Sequence, residues 1–170
     1  LSAAVDREQP GVDASFEALL AAFEANPTDA RLGFQVERAL RRSGDAAQLV
    51  RMYEQRVERE ADPFERTTTH LRIAHLALQR LGDTAKAEMH FRAALDLTPA
   101  YLPALQGLRG LALAAGDWAQ ARAWLEAEGR AARDNEGAID AWVQAGDIAW
   151  RHQGDADGAV ACFRKALERN

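Results

Sequence analysis

The chain has 170 residues, 48% of them hydrophobic and 28% charged, and carries a formal net charge of −5, which excludes a disordered polymer and argues against affinity built on neutralising phosphates. Its single cysteine, Cys162, excludes an internal disulfide and a thiolate zinc cage, and no apolar run approaches the roughly 18 residues that a membrane span needs. Alanine makes up about a fifth of the chain while Thr, Val and Ile are sparse, so an all-helical fold with close helix contacts is expected.

In chain order, residues 1–13 are expected to form a flexible N-terminal segment. Apolar spacing then predicts helices over 14–25, 29–42, 45–60, 64–81, 84–97, 101–115, 117–133, 136–152 and 155–168, nine in all. Leu49, Val50, Tyr53 and Val57 form one apolar stripe at intervals of three or four. Ile73, Ala74, Ala77 and Leu81 form a second, and Val160, Phe163 and Leu167 a third. Pro63 follows Asp62 at a helix start, where its fixed φ and missing donor are harmless.

The dipeptide Gly-Asp recurs at Gly44-Asp45, Gly82-Asp83, Gly116-Asp117 and Gly154-Asp155, with a longer, a shorter and again a longer interval between them. Glycine can take the left-handed conformation that closes a helix, and the aspartate after it can accept the orphan amides of the next one. Because the intervals alternate, the true period is the sum of two of them, the offset that sets Gly44 on Gly116. At that offset Gly44, Asp45, Gln48 and Glu54 meet Gly116, Asp117, Gln120 and Glu126, and Phe91, Arg92, Ala94 and Leu95 meet Phe163, Arg164, Ala166 and Leu167. The unit is a pair of helical hairpins, present about twice.

These residues resemble the tetratricopeptide repeat, a hairpin of about 34 residues with small residues where its helices cross. Residues 67–100 carry the pattern as Ala74, Gly82-Asp83, Ala87, Phe91, Ala94, Leu95 and Pro99. The last hairpin repeats it as Trp142, Gly146, Gly154-Asp155, Ala159, Phe163, Ala166 and Leu167. The other two hairpins depart from it: Glu37 and Arg109 stand at the small position, and Gly129 falls late in its helix. The two good hairpins each carry one extra residue in the first helix. The resemblance implies an all-α, right-handed α-solenoid (superhelix) over residues 14–170, with a half repeat at 14–27 and hairpins at about 29–60, 64–98, 101–133 and 136–169. Since neither end carries a polar capping element, and since numbering starts at Leu1, the sequence is expected to be a piece of a longer array, with its compartment left open. Arginine exceeds lysine 19 to 2, with Lys86 and Lys165 the only lysines, a bias that suggests a bacterial source.

No catalytic constellation, cofactor motif or metal-ligand spacing stands out, so no enzyme, cofactor or metal is expected. His70, His75, His90 and His152 are taken as surface or groove residues, and Cys162 as a buried thiol. Trp118 and Trp142 are assigned to packing, whereas Trp150 lies on a different helix face from Ala145, Gly146 and Ala149. By resemblance, the first helix of each hairpin lines a concave groove that takes a protein or peptide partner. On helical geometry its residues are Arg31, Phe34, Arg38 and Arg41 in the first hairpin and Leu71, His75 and Leu78 in the second. Gln106, Gly110 and Leu113 follow in the third, and Asp140, Val143, Asp147 and Trp150 in the fourth. The face thus runs from arginine-rich through apolar to acidic. The lysine and asparagine set with which some members clamp a C-terminal carboxylate is absent, since Phe34 and Arg38 stand in its place. Two functions fit these features: a non-enzymatic protein-interaction scaffold, and a structural spacer of a larger bacterial machine or envelope assembly that contacts neighbours, or further copies of itself, end to end.

Overall fold

In a computed structural model, the backbone is described for residues 10–169 and the side chains for residues 15–169. Of the segment expected to be flexible, residues 1–9 lie outside this range. The described residues form nine helices and no strand: α1 (Pro10–Ala25), α2 (Ala30–Ser43), α3 (Ala46–Arg59), α4 (Pro63–Leu76), α5 (Thr84–Leu97), α6 (Leu102–Ala115), α7 (Trp118–Ala131), α8 (Asn135–Gln153) and α9 (Ala156–Leu167). The fold is an all-α solenoid of antiparallel hairpins.

The Gly-Asp turns behave as their chemistry dictates. Gly44, Gly82, Gly116 and Gly154 have φ of +76°, +66°, +70° and +64°, values that a side chain disfavours. Each following aspartate caps the next helix by accepting a backbone amide three residues on: Gln48 to Asp45 at 2.8 Å, Lys86 to Asp83 at 2.8 Å, Gln120 to Asp117 at 3.0 Å and Gly158 to Asp155 at 2.9 Å. Asp29, Asp62 and Asp134 cap α2, α4 and α8, accepting amides two or three residues on.

The extra residue noted in two first helices has a structural home. Gly44 and Gly116 close their helices on the carbonyls of Leu40 and Ala112, four residues back. Gly82 and Gly154 instead reach five residues back, to Ala77 and Ala149. In α4 the widening extends into a π-helical turn, Ala77–Leu81, the usual way a helix absorbs an inserted residue.

The chain divides into two compact units, one up to Glu60 and one from Ala61. In the first, α1 packs on α2 and α2 on α3, around Phe23, Val36, Leu40, Val50 and Tyr53, each at most 2% exposed. In the second, each helix from α4 to α9 packs on the next in chain order, as a quasi-one-dimensional repeat requires. Its core has two clusters. One gathers Ala74, Ala87, Phe91, Ala94, Ala104 and Leu108. The other gathers Ala121, Leu125, Trp142, Ala145, Ile148 and Cys162.

Small residues set the helix approach. A methyl group added to Gly129 in α7 would lie 2.6 Å from the Trp142 indole, and one added to Gly146 in α8 would lie 2.6 Å from the Phe163 ring. Gly107 in α6 likewise makes room for Phe91. Each aromatic ring therefore rests on bare backbone of the neighbouring helix. In the second apolar stripe Leu81 is 40% exposed, and the third stripe departs further. On α9 the buried residues are Ala159, Cys162 and Ala166, whereas Val160, Phe163 and Leu167 are 47%, 36% and 72% exposed.

Candidate functional site

In the first unit, the exposed stripe of α2 consists of residues at i, i+3, i+7 and i+10. Val36 and Leu40 turn inward to the core, which leaves Arg31, Phe34, Arg38 and Arg41 facing solvent. Phe34 is 66% exposed. Phe34, Glu37, Arg38, Arg41 and Arg42 line a shallow depression of about 390 Å³. Glu37 does not disrupt the hairpin. Its carboxylate accepts from the Arg41 Nε at 2.9 Å, and that bond is the main reason the Arg41 guanidinium is held more firmly protonated than usual.

In the second unit, the expected face residues divide. Leu71 and Leu78 are half-buried and pack against the Ala74–Phe91 cluster. His75 is exposed and presents its ring edgewise to Phe91, with centroids 5.5 Å apart. Gln106, Gly110 and Leu113 are exposed on α6, and a methyl on Gly110 would meet nothing within 4 Å. On α8, Asp140, Val143 and Trp150 are exposed and Asp147 half-exposed. Ile139, Val143, Phe163, Ala166 and Leu167 line an apolar depression of about 370 Å³.

The repeat periodicity, the left-handed glycines and the capped hairpins meet an independent match. One tetratricopeptide repeat profile matches residues 78–145 and a second matches residues 139–170. Together they span more than half of the chain. It belongs to the tetratricopeptide repeat family. Members of this family are protein-interaction scaffolds in general, and no curated protein matches the chain at the level of sequence. Among solved structures it is similar to the crystal structure of MamA, with 18% identity, a TM-score of 0.60, and 99% of this chain and 95% of that one covered. A second crystal structure of MamA protein is also 18% identical with a TM-score of 0.60, covering 95% of this chain and 84% of that one. At this identity the likeness shows the fold.

Two polar pairs join neighbouring helices, and neither was evident from the sequence. Arg109, at the small position of α6, pairs with Glu128 of α7 at 3.1 Å, and the Glu128 side chain is only 5% exposed. Burial pushes the Glu128 carboxyl up, and Arg109 opposes that shift. The second pair corrects the placement of His90, and in part of His70, whereas His75 and His152 are exposed as expected. His90 on α5 is 5% exposed, and its Nδ1 lies 2.9 Å from the Nδ1 of His70 on α4. Burial first, then His90, then Arg66 lower the His70 pKa from 6.5 to about 4. Each pair bridges neighbouring helices, and only the pairing of those helices reveals it.

Trp142 is buried at 4% exposure, with the Lys165 ammonium 4.2 Å from its ring centroid. Trp118 stacks on His152 at 3.7 Å. Trp150 is 60% exposed. Cys162 is buried, and burial, followed by the charge of Glu126, raises its pKa and keeps it a thiol. Among the described residues no group of three or more His, Cys, Asp or Glu is placed to hold a metal ion, and no helix is long and apolar enough to cross a membrane.

Proposed function

We propose that this chain is a non-enzymatic scaffold that takes a protein or peptide partner on the exposed faces of the first helices of its hairpins. The observation that carries the reading is the placement of large apolar side chains in water on those helices. Phe34 on α2 and Trp150 on α8 are 66% and 60% exposed, and each sits in a charged surround. Exposed aromatic anchors ringed by charge are the usual centres of protein interfaces. The α2 face, with Arg31, Arg38 and Arg41 around Phe34, suits an acidic segment carrying an apolar residue. The α8 face, with Asp140 and Asp147 beside Val143 and Trp150, suits a basic one.

Replacing Arg38 and Arg41 by glutamate tests this. Capture of a partner in pull-downs is expected to be lost while circular dichroism and melting stay unchanged, since both side chains are exposed. Retained capture removes α2 from the binding surface. A second reading, a spacer that contacts its neighbours through the array's outer helices, is favoured by Val160, Phe163 and Leu167 standing in solvent on α9. Under it, Val160→Ser with Leu167→Ser changes self-association measured by light scattering, and an unchanged signal counts against it.

A further inference from the structure

The exposed stripes of α2 and α8 are complementary in sign, in spacing and in shape. On α2 the stripe reads Arg31, Phe34, Arg38, Arg41; on α8, read backwards, it reads Asp147, Val143, Asp140, Glu136. Counted from their first members, the α2 positions fall at 0, 3, 7 and 10 and the α8 positions at 0, 4, 7 and 11. At a rise of about 1.5 Å per residue the two series never differ by more than about 1.5 Å, well within side-chain reach. Laid antiparallel, the helices set Arg31 against Asp147, Arg38 against Asp140 and Arg41 against Glu136, with Phe34 against Val143. The parallel arrangement offers only two such ion pairs, Arg31 with Asp140 and Arg38 with Asp147.

The charges are available for this. Arg31, Arg38, Glu136 and Asp140 make no ion pair among the described residues, and Asp147 has only a loose contact with Arg151 at 3.8 Å; Arg41 is already held by Glu37 at 2.9 Å, so the docking rests on the Arg31 and Arg38 pairs. The apolar parts also fit as knob and hole. Phe34 stands out of the basic stripe, and Val143 forms one wall of the depression closed by Ile139, Phe163, Ala166 and Leu167.

We propose that the α2 face of one copy of this chain docks antiparallel on the α8 face of a second copy, with Phe34 entering the apolar depression beside Val143. This rests on the scaffold reading above and names the partner of its α2 face. The contact joins two different surfaces and is heterologous.

Sedimentation velocity over a concentration series tests it, with the whole chain at low and at high salt. The wild type is expected to grow in mass with concentration at low salt and to return towards monomer at high salt, because exposed charge pairs are screened. The variant Arg31→Glu with Arg38→Glu, and separately Asp140→Arg with Asp147→Arg, are each expected to associate at least about tenfold more weakly, with unaltered circular dichroism. Mixing these two variants restores complementary pairs and is expected to restore association. Phe34→Gln, which leaves every charge in place, weakens it as well. A wild type that remains monomeric at submillimolar concentration, charge variants that associate as it does, or a mixture that stays monomeric would each overturn the proposal. A monomeric chain that still captures another protein through Arg38 and Arg41 overturns this inference and leaves the scaffold reading standing.

Discussion

The His70–His90 pair shows how a single contact sets a pH response. With two Nδ1 atoms 2.9 Å apart, one must donate and the other accept, so at least one ring must be neutral, and burial favours the neutral form of His70. The His70 pKa of about 4 in the fold lies below its ordinary 6.5, so the unfolded chain binds the proton more readily. The pair's contribution is therefore complete above pH 6.5 and is lost as pH falls from 6.5 towards 4. With solvent screening of the half-buried ring allowed for, the loss amounts to about 2 kcal/mol. Urea unfolding of the wild type and of His70→Gln with His90→Gln, at pH 7 and pH 4.5, checks this. The variant starts less stable and falls less steeply, and equal slopes would remove the pair as the cause. Arg109 and Glu128 carry the second prediction at this scale. Arg109→Ala leaves a buried carboxylate without its cation and is expected to destabilise by about 2–4 kcal/mol. Adding Glu128→Gln recovers part of that loss, which thermal melting of the single and double variants measures.

Among the elements, the hairpin turns were legible in the sequence because their physics is local. Gly116 and Asp117 need only each other and the next helix turn, so the dipeptide announced both the left-handed closure and the cap. Asp117→Ala is expected to cost about 1 kcal/mol in chemical denaturation. The contacts between helices were harder to read. Gly129 departs from the repeat pattern because Trp142 lies across it, and a ring seated on a glycine of another helix leaves no periodic signature. Gly129→Ala forces the indole away and is expected to cost about 1–3 kcal/mol, visible as a lower melting temperature and altered tryptophan fluorescence. The burial of His90 and Glu128 was hidden for the same reason. Val160, Phe163 and Leu167 show the converse: their spacing announced a helix correctly but could not say which of its faces is covered. Of the candidate faces, the α2 and α8 stripes were legible because exposure follows the helical period once the core side is known. Leu71 and Leu78 were not, since their neighbours in α5 and α6 draw them towards the core.

For the molecule as a whole, stability is distributed rather than pooled. Both clusters described for the second unit lie beyond Ala61, and its helices pack on their chain neighbours. A fragment running from Ala61 to Asn170 is therefore expected to be helical and to melt cooperatively by circular dichroism. The first unit, which ends at Glu60, has the smaller core and is expected to unfold first. Calorimetry of the entire chain then shows two transitions or one broadened by them, and a single sharp two-state transition would refute this division.

The alternation in helix closure reaches further than the turns themselves. Hairpins that close five residues back, at Gly82 and Gly154, take turns with hairpins that close four back, at Gly44 and Gly116, so adjacent hairpins are not interchangeable parts but next-nearest ones are. The array has a phase as well as a period. Duplicating or excising a consecutive pair of hairpins keeps every surviving hairpin beside the type of neighbour it evolved with. Adding or removing a single hairpin sets like beside like. Any lengthening of this array, by nature or by design, is in register only in steps of two.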